Sequence, residues 1–175
     1  SKADLAFTMH MLSWLSTSGT AAIVEFPGVL YRGGAEQKIR KYLVDNNYID
    51  TVIQLPPDLF FGTTIATCII VLKKSKKDNK TLFIDASAEF VRGGNKNKLT
   101  EENRAKILEA FAKRADGAHF AKLVANKTIE ENDYNIAVST YVAQKDTREV
   151  IDITKLNAEI EGIVARQNEL RKAID

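Results

Sequence analysis

The chain lacks the patterns that most directly identify a secreted protein, a membrane protein or a metalloprotein. Cys68 is the single cysteine, so an intrachain disulfide is impossible. No apolar run reaches the roughly 20 residues that a membrane span needs, and no basic-then-apolar signal segment opens the chain. His10 and His119 lie far apart, without a carboxylate-rich context. We therefore expect a cytoplasmic protein with no metal site and no membrane contact.

Common catalytic and nucleotide-binding motifs are missing as well. There is no Gly-x-Gly-x-x-Gly, no phosphate loop ending in Gly-Lys-Ser/Thr and no Ser-His-Asp or Cys-His set. Gly33 and Gly34 precede a helix, where their amides could hold an anion, although a simple turn is the favoured interpretation. The net charge of +2 is too small to indicate an acidic partner. These residues indicate a soluble α/β domain and name no reaction.

Alternating helix and strand patterns predict an open α/β sheet. Thr20–Phe26 is a short, nearly continuous apolar run, which favours a strand buried on both faces of a parallel sheet. Strands at 49–55 and 65–72 follow one another with no helix between them, and this succession predicts an antiparallel pair that closes the sheet edge. Another strand is predicted at 81–84. Because the chain starts at a helix with no strand before it, we expect the second half of a domain.

The pattern changes beyond Val91. The polar run 93–98 indicates a flexible linker, and helical patterns follow near 101–115 and 118–125. A last helix is predicted between 152 and 174. The apolar seam of this helix is spaced by four and three and consists of Leu156, Ile160, Ile163, Gln167, Leu170 and Ile174. The seam spans only about three heptads, so we expect it to pack on neighbouring helices of the same chain or of a partner.

The most informative segment is 55–68, which contains the loop between the strands predicted at 49–55 and 65–72. Two prolines end the first strand, and Phe60 and Phe61 are presented next to Gly62. Aromatic rings held at the mouth of a sheet suit a flat ligand such as a nucleotide base. The alternative is that a ring packs under the sheet edge, and we expect this of at least one of the two.

Basic residues are concentrated after the strand predicted at 65–72. They are Lys73, Lys74, Lys76, Lys77 and Lys80, with Arg92, Lys96 and Lys98 further along. Runs of this kind are usually solvated turns, and that interpretation is favoured. The alternative is contact with an acidic polymer such as a nucleic-acid backbone.

Four segments, in the right order, resemble the modification (M) subunit of type I restriction–modification systems. They are 3–12, 26–41, 55–69 and Asp133-Tyr134-Asn135. The resemblance implies a DNA methyltransferase that transfers a methyl group from S-adenosylmethionine to N6 of adenine. It also implies a mostly parallel methyltransferase sheet with added helical regions. The implied partners are DNA, a specificity subunit and a restriction subunit.

The resemblance further implies a division of the chain into three parts. Residues 1–91 correspond to the C-terminal half of the catalytic domain, 92–150 to a mainly helical or irregular extension, and 151–175 to an assembly helix. The candidates for a subunit interface are Leu156, Ile160, Ile163 and Leu170. Packing of this helix within the chain is an equal alternative.

Enzymes of this kind flip the adenine out of the duplex and stack it on aromatic or apolar groups. By resemblance, Phe60 or Phe61 lines the base pocket, and Gly62, Thr63 and Thr64 shape the loop. The candidates for DNA contact are Arg32, Lys73, Lys74, Lys76 and Lys77.

The segment around Arg32 is expected at the carboxyl end of a strand, where open sheets bind ligands. It includes Pro27, Gly28 and Gly33. Arg32 could meet a DNA phosphate or cap a helix, and the sequence favours neither.

Two motifs of the family are absent from this chain, the glycine-rich cofactor loop and the catalytic Asn-Pro-Pro followed by Phe or Tyr. The sequence Leu55-Pro56-Pro57-Asp58 does not replace the second motif, because leucine offers no amide to the adenine amine and aspartate cannot stack. No catalytic residue is therefore assigned, and the chain alone is expected to be inactive. The alternative, of a different class, is a stand-alone assembly or nucleic-acid-binding module without catalysis.

Overall fold

The computed structural model describes residues 3–144 and 153–173. Residues 1–144 form one compact unit and residues 145–175 a second, and each is described by itself. Ile174, the predicted end of the apolar seam, lies outside the described residues. The division of the chain at residues 91 and 150 stays a prediction. None of the described helices is long and apolar enough to cross a lipid bilayer.

Helices and strands are mixed along the first unit, so the α/β class is confirmed. The helices are α1 (Asp4–Trp14), α2 (Ala35–Asp45), α3 (Glu101–Lys113), α4 (Asn126–Glu131) and α5 (Val138–Tyr141), with a 3-10 turn at Pro27–Leu30. The strands are β1 (Thr20–Glu25), β2 (Ile49–Gln54), β3 (Cys68–Lys73), β4 (Lys80–Asp85), β5 (Val91–Gly93), β6 (Lys96–Lys98) and β7 (Ala121–Ala125). The second unit contains α6 (Ile153–Lys172).

Five strands form one sheet in the order β1-β3-β2-β4-β7. β2 and β4 are parallel, whereas β3 is antiparallel to both β1 and β2, and β7 is antiparallel to β4. The expectation of a mostly parallel sheet is therefore corrected for the described strands. The cause is largely β3, which returns from β2 without a crossover helix and so runs antiparallel. It then lies between two strands that both run the other way.

The predicted antiparallel pair is confirmed as β2 and β3, but it does not close the sheet edge. β1 pairs with the other side of β3 and lies at an edge of the described sheet. The residues of β1 alternate between exposed and partly buried positions, and Val24 is about half exposed. A strand buried on both faces, as its apolar composition indicated, is therefore not observed.

Two segments that were expected to be irregular or helical form strands. Residues 93–98, the expected linker, form the turn and one strand of the hairpin β5–β6, and Gly94 occupies the turn with a φ of 66°. Residues 121–125, expected to be helical, form β7. Their composition of Ala, Lys, Leu and Val fits a helix by propensity, but pairing with β4 overrides that weak preference.

A hydrophobic core lies on each face of the sheet. Val52 and Phe83 belong to a core shared with α1, α2, α4 and α5. Ile53 and Leu82 belong to the other core, together with Ile107 of α3. Side chains alternate along a strand, so neighbours such as Val52 and Ile53 serve opposite faces. Because helices cover both faces, the ends of the strands are the positions left for a functional site.

Candidate functional site at the carboxyl ends of the strands

The strands β1, β2 and β4 run in one direction, so their carboxyl ends lie at the same edge of the sheet. These ends are Glu25, Gln54 and Asp85. The segments that follow the first two strands are residues 26–34 and the aromatic loop, residues 55–67. Open α/β sheets bind their ligands at this edge, which makes it the candidate site.

A cleft of about 380 Å³ opens at this edge. It is lined by Asp4, Phe26, Pro27, Gly28, Tyr31, Arg32 and Ile65. The structure thus brings the segment around Arg32 next to the aromatic loop, as a shared ligand site requires. Asp4 reaches the cleft from the first turn of α1 and follows the N-cap residue, Ala3.

The aromatic loop has a hydrogen-bonded frame. At its root the amide of Leu55 donates to the carbonyl of Thr67 over 2.9 Å, and further out the amide of Asp58 donates to the carbonyl of Thr64 over 3.3 Å. Thr63 Oγ1 accepts a hydrogen bond from the backbone amide of Ile65 over 3.2 Å. These bonds hold the loop in a defined shape.

Both aromatic rings of the loop are exposed. Phe60 is 41% exposed and Phe61 is fully exposed, whereas Leu59 packs against the core beneath the sheet edge. Since Phe60 is more than half covered, the expectation that at least one ring packs under the sheet edge stays a prediction, and only Phe60 can meet it. Gly62, with a φ of 78°, supplies the left-handed backbone that the turn beside Phe61 needs. The loop thus exposes Phe61 fully and Phe60 in part, and its Ile65 lines the cleft.

Arg32 lies over Gly28 and pairs with the first turn of α2. Its Nη1 is 3.4 Å from Glu36 Oε1, and a Cβ at residue 28 would lie only 2.1 Å from Arg32 Nη2. Glycine at 28 therefore keeps the guanidinium in place. Glu36 Oε2 is buried and has no hydrogen-bond partner among the described residues. Arg32 therefore pairs with a side chain of α2 and does not cap the helix, whose N-cap residue is Gly34. A role for Arg32 in DNA contact stays a prediction.

Glu25 adds negative charge beneath the site. Its buried carboxylate accepts a hydrogen bond from Thr8 Oγ1 over 3.1 Å. Burial raises the pKa of Glu25, the Thr8 hydrogen bond opposes that rise, and the carboxylates of Asp4 and Glu36 add to it. Burial also raises the pKa of the neighbouring Cys68 thiol to about 12, so this thiol is not a nucleophile at neutral pH.

The lysines that follow β3 lie at the opposite end of the sheet from the aromatic loop. β3 has six residues, which corresponds to a separation of about 17–20 Å. Lys74 Nζ donates to the carbonyl of Leu15 and Lys76 Nζ donates to the carbonyl of Ile49, each over 2.6 Å. Burial lowers the pKa of Lys76 to about 8. The structure does not bring these lysines to the base site, and their contact with DNA stays a prediction.

A second cleft, of about 320 Å³, lies beside these lysines. It is lined by Asp50, Lys73, Ser75, Lys76, Lys77, Asp78 and Arg114. Arg114 Nη1 is 2.9 Å from the buried carboxylate of Asp50. Since the two aspartates offset part of the positive charge, this cleft is less basic than the sequence run suggested.

The helix α6 has no buried residue. The four interface candidates, Leu156, Ile160, Ile163 and Leu170, are all exposed. At 100° per residue they fall in one stripe along the helix. An exposed apolar stripe on a helix of 20 residues is suited to pack against another helix.

Sequence reasoning missed several residues that hold the site together. Arg92, Lys96 and Asn97 bond to the aromatic loop, and Arg40 bonds to the backbone of Tyr134. A signal for Arg40 was its place among the apolar residues of α2. No signal marked the hairpin, because its short polar strands resemble a linker. Within residues 3–144 and 153–173 there is no group of three or more His, Cys, Asp or Glu that could hold a metal ion.

Comparison with known proteins identifies the family. The family model described as N-6 DNA Methylase matches residues 1–150. The chain belongs to the N-6 DNA methylase family. Because the match covers most of the chain, it includes the cleft, the aromatic loop and the whole five-stranded sheet.

The similar members of the N-6 DNA methylase family are methylase subunits of type I restriction enzymes. The MpnII methylase subunit of Mycoplasma pneumoniae is 50% identical over 175 residues, which cover 99% of this chain and 32% of that protein. The MjaVII methylase subunit of Methanocaldococcus jannaschii is 36% identical over 174 residues, which cover 96% of this chain and 30% of that protein. The resemblance to type I M subunits is confirmed.

A solved structure supports the fold. The crystal structure of the type I restriction–modification system methyltransferase subunit from Streptococcus thermophilus aligns with a TM-score of 0.79 at 47% identity. The alignment covers 81% of this chain and 31% of that one. This chain therefore spans about a third of the length of the relatives that it matches.

Proposed function

We propose that this chain is part of a type I methylase subunit that transfers a methyl group from S-adenosylmethionine to N6 of adenine in DNA. In that subunit it supplies the aromatic side of the base pocket and a surface for assembly. The observation that carries the proposal is the pair Phe60 and Phe61, partly and fully exposed on a hydrogen-bonded loop at the carboxyl ends of the strands.

The chemistry explains the need for such a loop. The lone pair of the adenine amine is delocalised into the ring, so the amine is a poor nucleophile and must be held in line with the methyl donor. The base must first leave the duplex, which costs stacking and pairing energy. An exposed phenylalanine ring offsets part of that cost, since stacking of a base on an aromatic side chain contributes about 1–3 kcal/mol.

The residues present here do not fit S-adenosylmethionine by themselves. No Gly-x-Gly turn follows a described strand, and the space above Gly28 is filled by the guanidinium of Arg32. No Asn-Pro-Pro-Phe/Tyr sequence is present to bind the adenine amine. We therefore assign the cofactor and the catalytic groups to other parts of the complete subunit. The 175-residue chain alone is expected to transfer no methyl group.

DNA is the proposed substrate, and its phosphates are the proposed ligands of Arg32, Lys73, Lys74, Lys76 and Lys77. Lys73 and Lys77 are the stronger candidates among the lysines, because Lys74 and Lys76 already donate to backbone carbonyls. Given the length of β3, they would meet a phosphate well away from the flipped base.

The apolar stripe of α6 is the proposed assembly surface. We assign it to contact with the specificity subunit of the same system, with a restriction subunit joining the assembly. Leu156, Ile160, Ile163 and Leu170 are exposed, and their burial against a partner helix would be favourable because it removes apolar area from water.

A stand-alone module is less well supported. β1 has a free edge in the described sheet, and Phe7 and Trp14 of α1 are largely exposed. Free strand edges and exposed aromatic groups are features that further strands and helices normally cover. Both fit a chain that is part of a larger methyltransferase sheet.

The test replaces both rings, by Phe60→Ala and Phe61→Ala, in the full-length subunit assembled with its partners. We expect the single-turnover rate of methyl transfer to fall by tenfold or more, about the loss of one stacking contact, while the affinity for S-adenosylmethionine stays unchanged. DNA with 2-aminopurine at the target adenine should show reduced base extrusion by fluorescence. Tyr42→Ala, which removes an exposed ring of α2, is the matched control. Unchanged methyl transfer, or equal loss of transfer and cofactor binding, would overturn the base-pocket role.

A further inference from the structure

The hairpin β5–β6 makes a dense set of contacts with the aromatic loop. Arg92 Nη1 lies 2.6 Å from Asp58 Oδ2, and Lys96 Nζ lies 2.6 Å from Asp58 Oδ1. Both oxygens of one carboxylate are therefore bound by cations from the two strands of the hairpin. Lys96 Nζ also donates to the carbonyl of Thr63 over 3.0 Å. The hairpin thus reaches the loop on both sides of the two phenylalanines.

Asn97 completes these contacts through the backbone. Its amide donates to the carbonyl of Asp58 over 3.0 Å, and its side chain donates to the carbonyl of Pro57 over 2.8 Å. Its Oδ1 accepts a bond from Arg92 Nη1 over 3.1 Å. Asn97 is 6% exposed. A polar side chain that is buried with all of these bonds made contributes to a fixed geometry.

The conformation of Asp58 shows why the loop needs this support. Asp58 has a φ of 59°, the left-handed region that non-glycine residues seldom adopt. Such a conformation costs about 1–3 kcal/mol and persists where surrounding contacts hold it. The contacts here are two cations, the Asn97 amide and the bond from the Asp58 amide to Thr64.

The hairpin is itself anchored to α3. Glu89, just before β5, accepts from Asn103 over 3.3 Å and pairs with Lys106. Thr100, two residues after β6, caps α3 through the amide of Asn103. The hairpin therefore links a packed helix to the turn that carries the two rings.

We infer that the β5–β6 hairpin is a positioning device for the base pocket, in which Asp58, Arg92, Lys96 and Asn97 fix the loop so that Phe60 and Phe61 meet the extruded base. The inference rests on the proposed function of the two rings. It assigns Arg92 and Lys96 a role inside the protein, where the sequence left solvated turns or nucleic-acid contact as their roles.

The charge state of Asp58 agrees with ion pairs that hold the loop at neutral pH. Lys96 and then Arg92 lower the pKa of the Asp58 carboxyl below its usual range. The carboxylate is therefore ionised throughout the neutral pH range, and both ion pairs persist under conditions where DNA is methylated.

The test uses the full-length subunit in its complex, with Asp58→Asn as the main variant. We expect the backbone amides of residues 58 and 97 to exchange hydrogen tenfold faster or more, while amides of β2 and β3 keep their protection. The single-turnover rate of methyl transfer should fall by about tenfold or more, because small misplacement of a reacting group is costly. Affinity for DNA should change by less than about threefold, since phosphate contacts dominate it.

Two further variants separate positioning from charge and folding. Lys98→Gln removes a charge from the same hairpin at a residue with no bond to the loop, and it should leave exchange and rate unchanged. The rate loss of Asp58→Asn combined with Lys96→Gln should be smaller than the product of the two single losses, because both changes break the Asp58–Lys96 pair and only Lys96→Gln also breaks the bond to Thr63.

The outcomes are distinguishable from those for the base pocket. Unchanged hydrogen exchange in Asp58→Asn would contradict the claim that the hairpin holds the aromatic loop. Faster exchange with an unchanged methyl-transfer rate would contradict its role in positioning the two rings. If Phe60→Ala with Phe61→Ala has no effect on methyl transfer, the proposed base-pocket role is contradicted independently of the hairpin. The exchange data would still report whether the hairpin holds the loop.

Discussion

Arg40 and Tyr134 are joined by a buried hydrogen bond that spans 94 residues of sequence. Arg40 Nε donates to the Tyr134 carbonyl over 2.8 Å, and Arg40 Nη1 donates to the carbonyl of Val29 over 2.9 Å. The guanidinium thus connects α2, the segment that leads to the cleft and the Asp133-Tyr134-Asn135 segment. Two of the segments that carry the family resemblance therefore meet at one buried side chain.

Loss of this connection should destabilise the whole first unit. Arg40 is 1% exposed, so Arg40→Met leaves two buried carbonyl groups without their donor. We expect the free energy of unfolding to fall by about 3 kcal/mol or more, measured by urea denaturation. Arg104→Met, the same change at an exposed position of α3, should alter it by less than about 0.5 kcal/mol. Similar stability of the two variants would contradict a structural role for Arg40.

Glu25 should make stability depend on pH in a defined direction. Its pKa is raised above 4.5 in the folded protein, chiefly by burial. Between pH 4.5 and the folded pKa, the folded state therefore binds more protons than the unfolded state. The contribution of Glu25 to the free energy of unfolding is fully present below pH 4.5 and is lost as the pH rises through the folded pKa. Glu25→Gln should therefore stabilise the protein at pH 7–8 and lose this advantage below pH 4.5.

The measurement for Glu25 is the midpoint of urea unfolding across this pH range. Glu130→Gln, at an exposed position of α4, is the control and should show no such pH-dependent gain. A gain from Glu25→Gln that is equal at pH 4 and pH 8 would contradict the assignment of the shift to Glu25.

The proposed assembly role of α6 predicts a sharp difference between its two sides. Ile163→Asp with Leu170→Asp places charges in the apolar stripe, so association with the specificity subunit should weaken by roughly tenfold or more, since burying a charge is costly. Ala165→Asp lies about 200° from Ile163 around the helix and should have little effect. Sedimentation or interferometry with the purified subunit measures both. Equal affinity of the two variants would remove the stripe from the interface.

The lysines after β3 are best tested through salt dependence. If Lys73 and Lys77 each neutralise a DNA phosphate, Lys73→Met and Lys77→Met should each reduce the slope of log affinity against log salt by about one. Lys113→Met is the control, because Lys113 pairs with Glu109 on α3. An unchanged slope in both lysine variants would assign this run to solvated turns.

The sequence predicted the elements more successfully than their arrangement. Strands β2, β3 and β4 were predicted because their apolar runs are bounded by turns. The pairing of β3 with β2 was predicted from the absence of a helix between them. Its pairing with β1 could not be read from its own residues, because its apolar side chains suit parallel and antiparallel neighbours alike. β7 was missed since Ala121–Ala125 forms a strand only by pairing with β4.

The site shows the same division between local and distant causes. The exposure of Phe61 agrees with the turn residues around it, which act locally. The position of the rings also depends on the packing of Leu59 and on the hairpin. The hairpin contacts join residues more than 30 positions apart, such as Asp58 and Arg92. Long-range contacts of this kind leave no periodic pattern in a single sequence.

The hydrogen-bonded frame of the aromatic loop is independent of the side chains at its tip. The bonds from Leu55 to Thr67 and from Asp58 to Thr64 join backbone atoms, so they do not depend on the side chains at 59–63. Exchanges at 60 and 61 therefore leave the sheet register intact. Substitution of the two rings can therefore change which ligand the tip of the loop suits, while the backbone frame that carries it is kept.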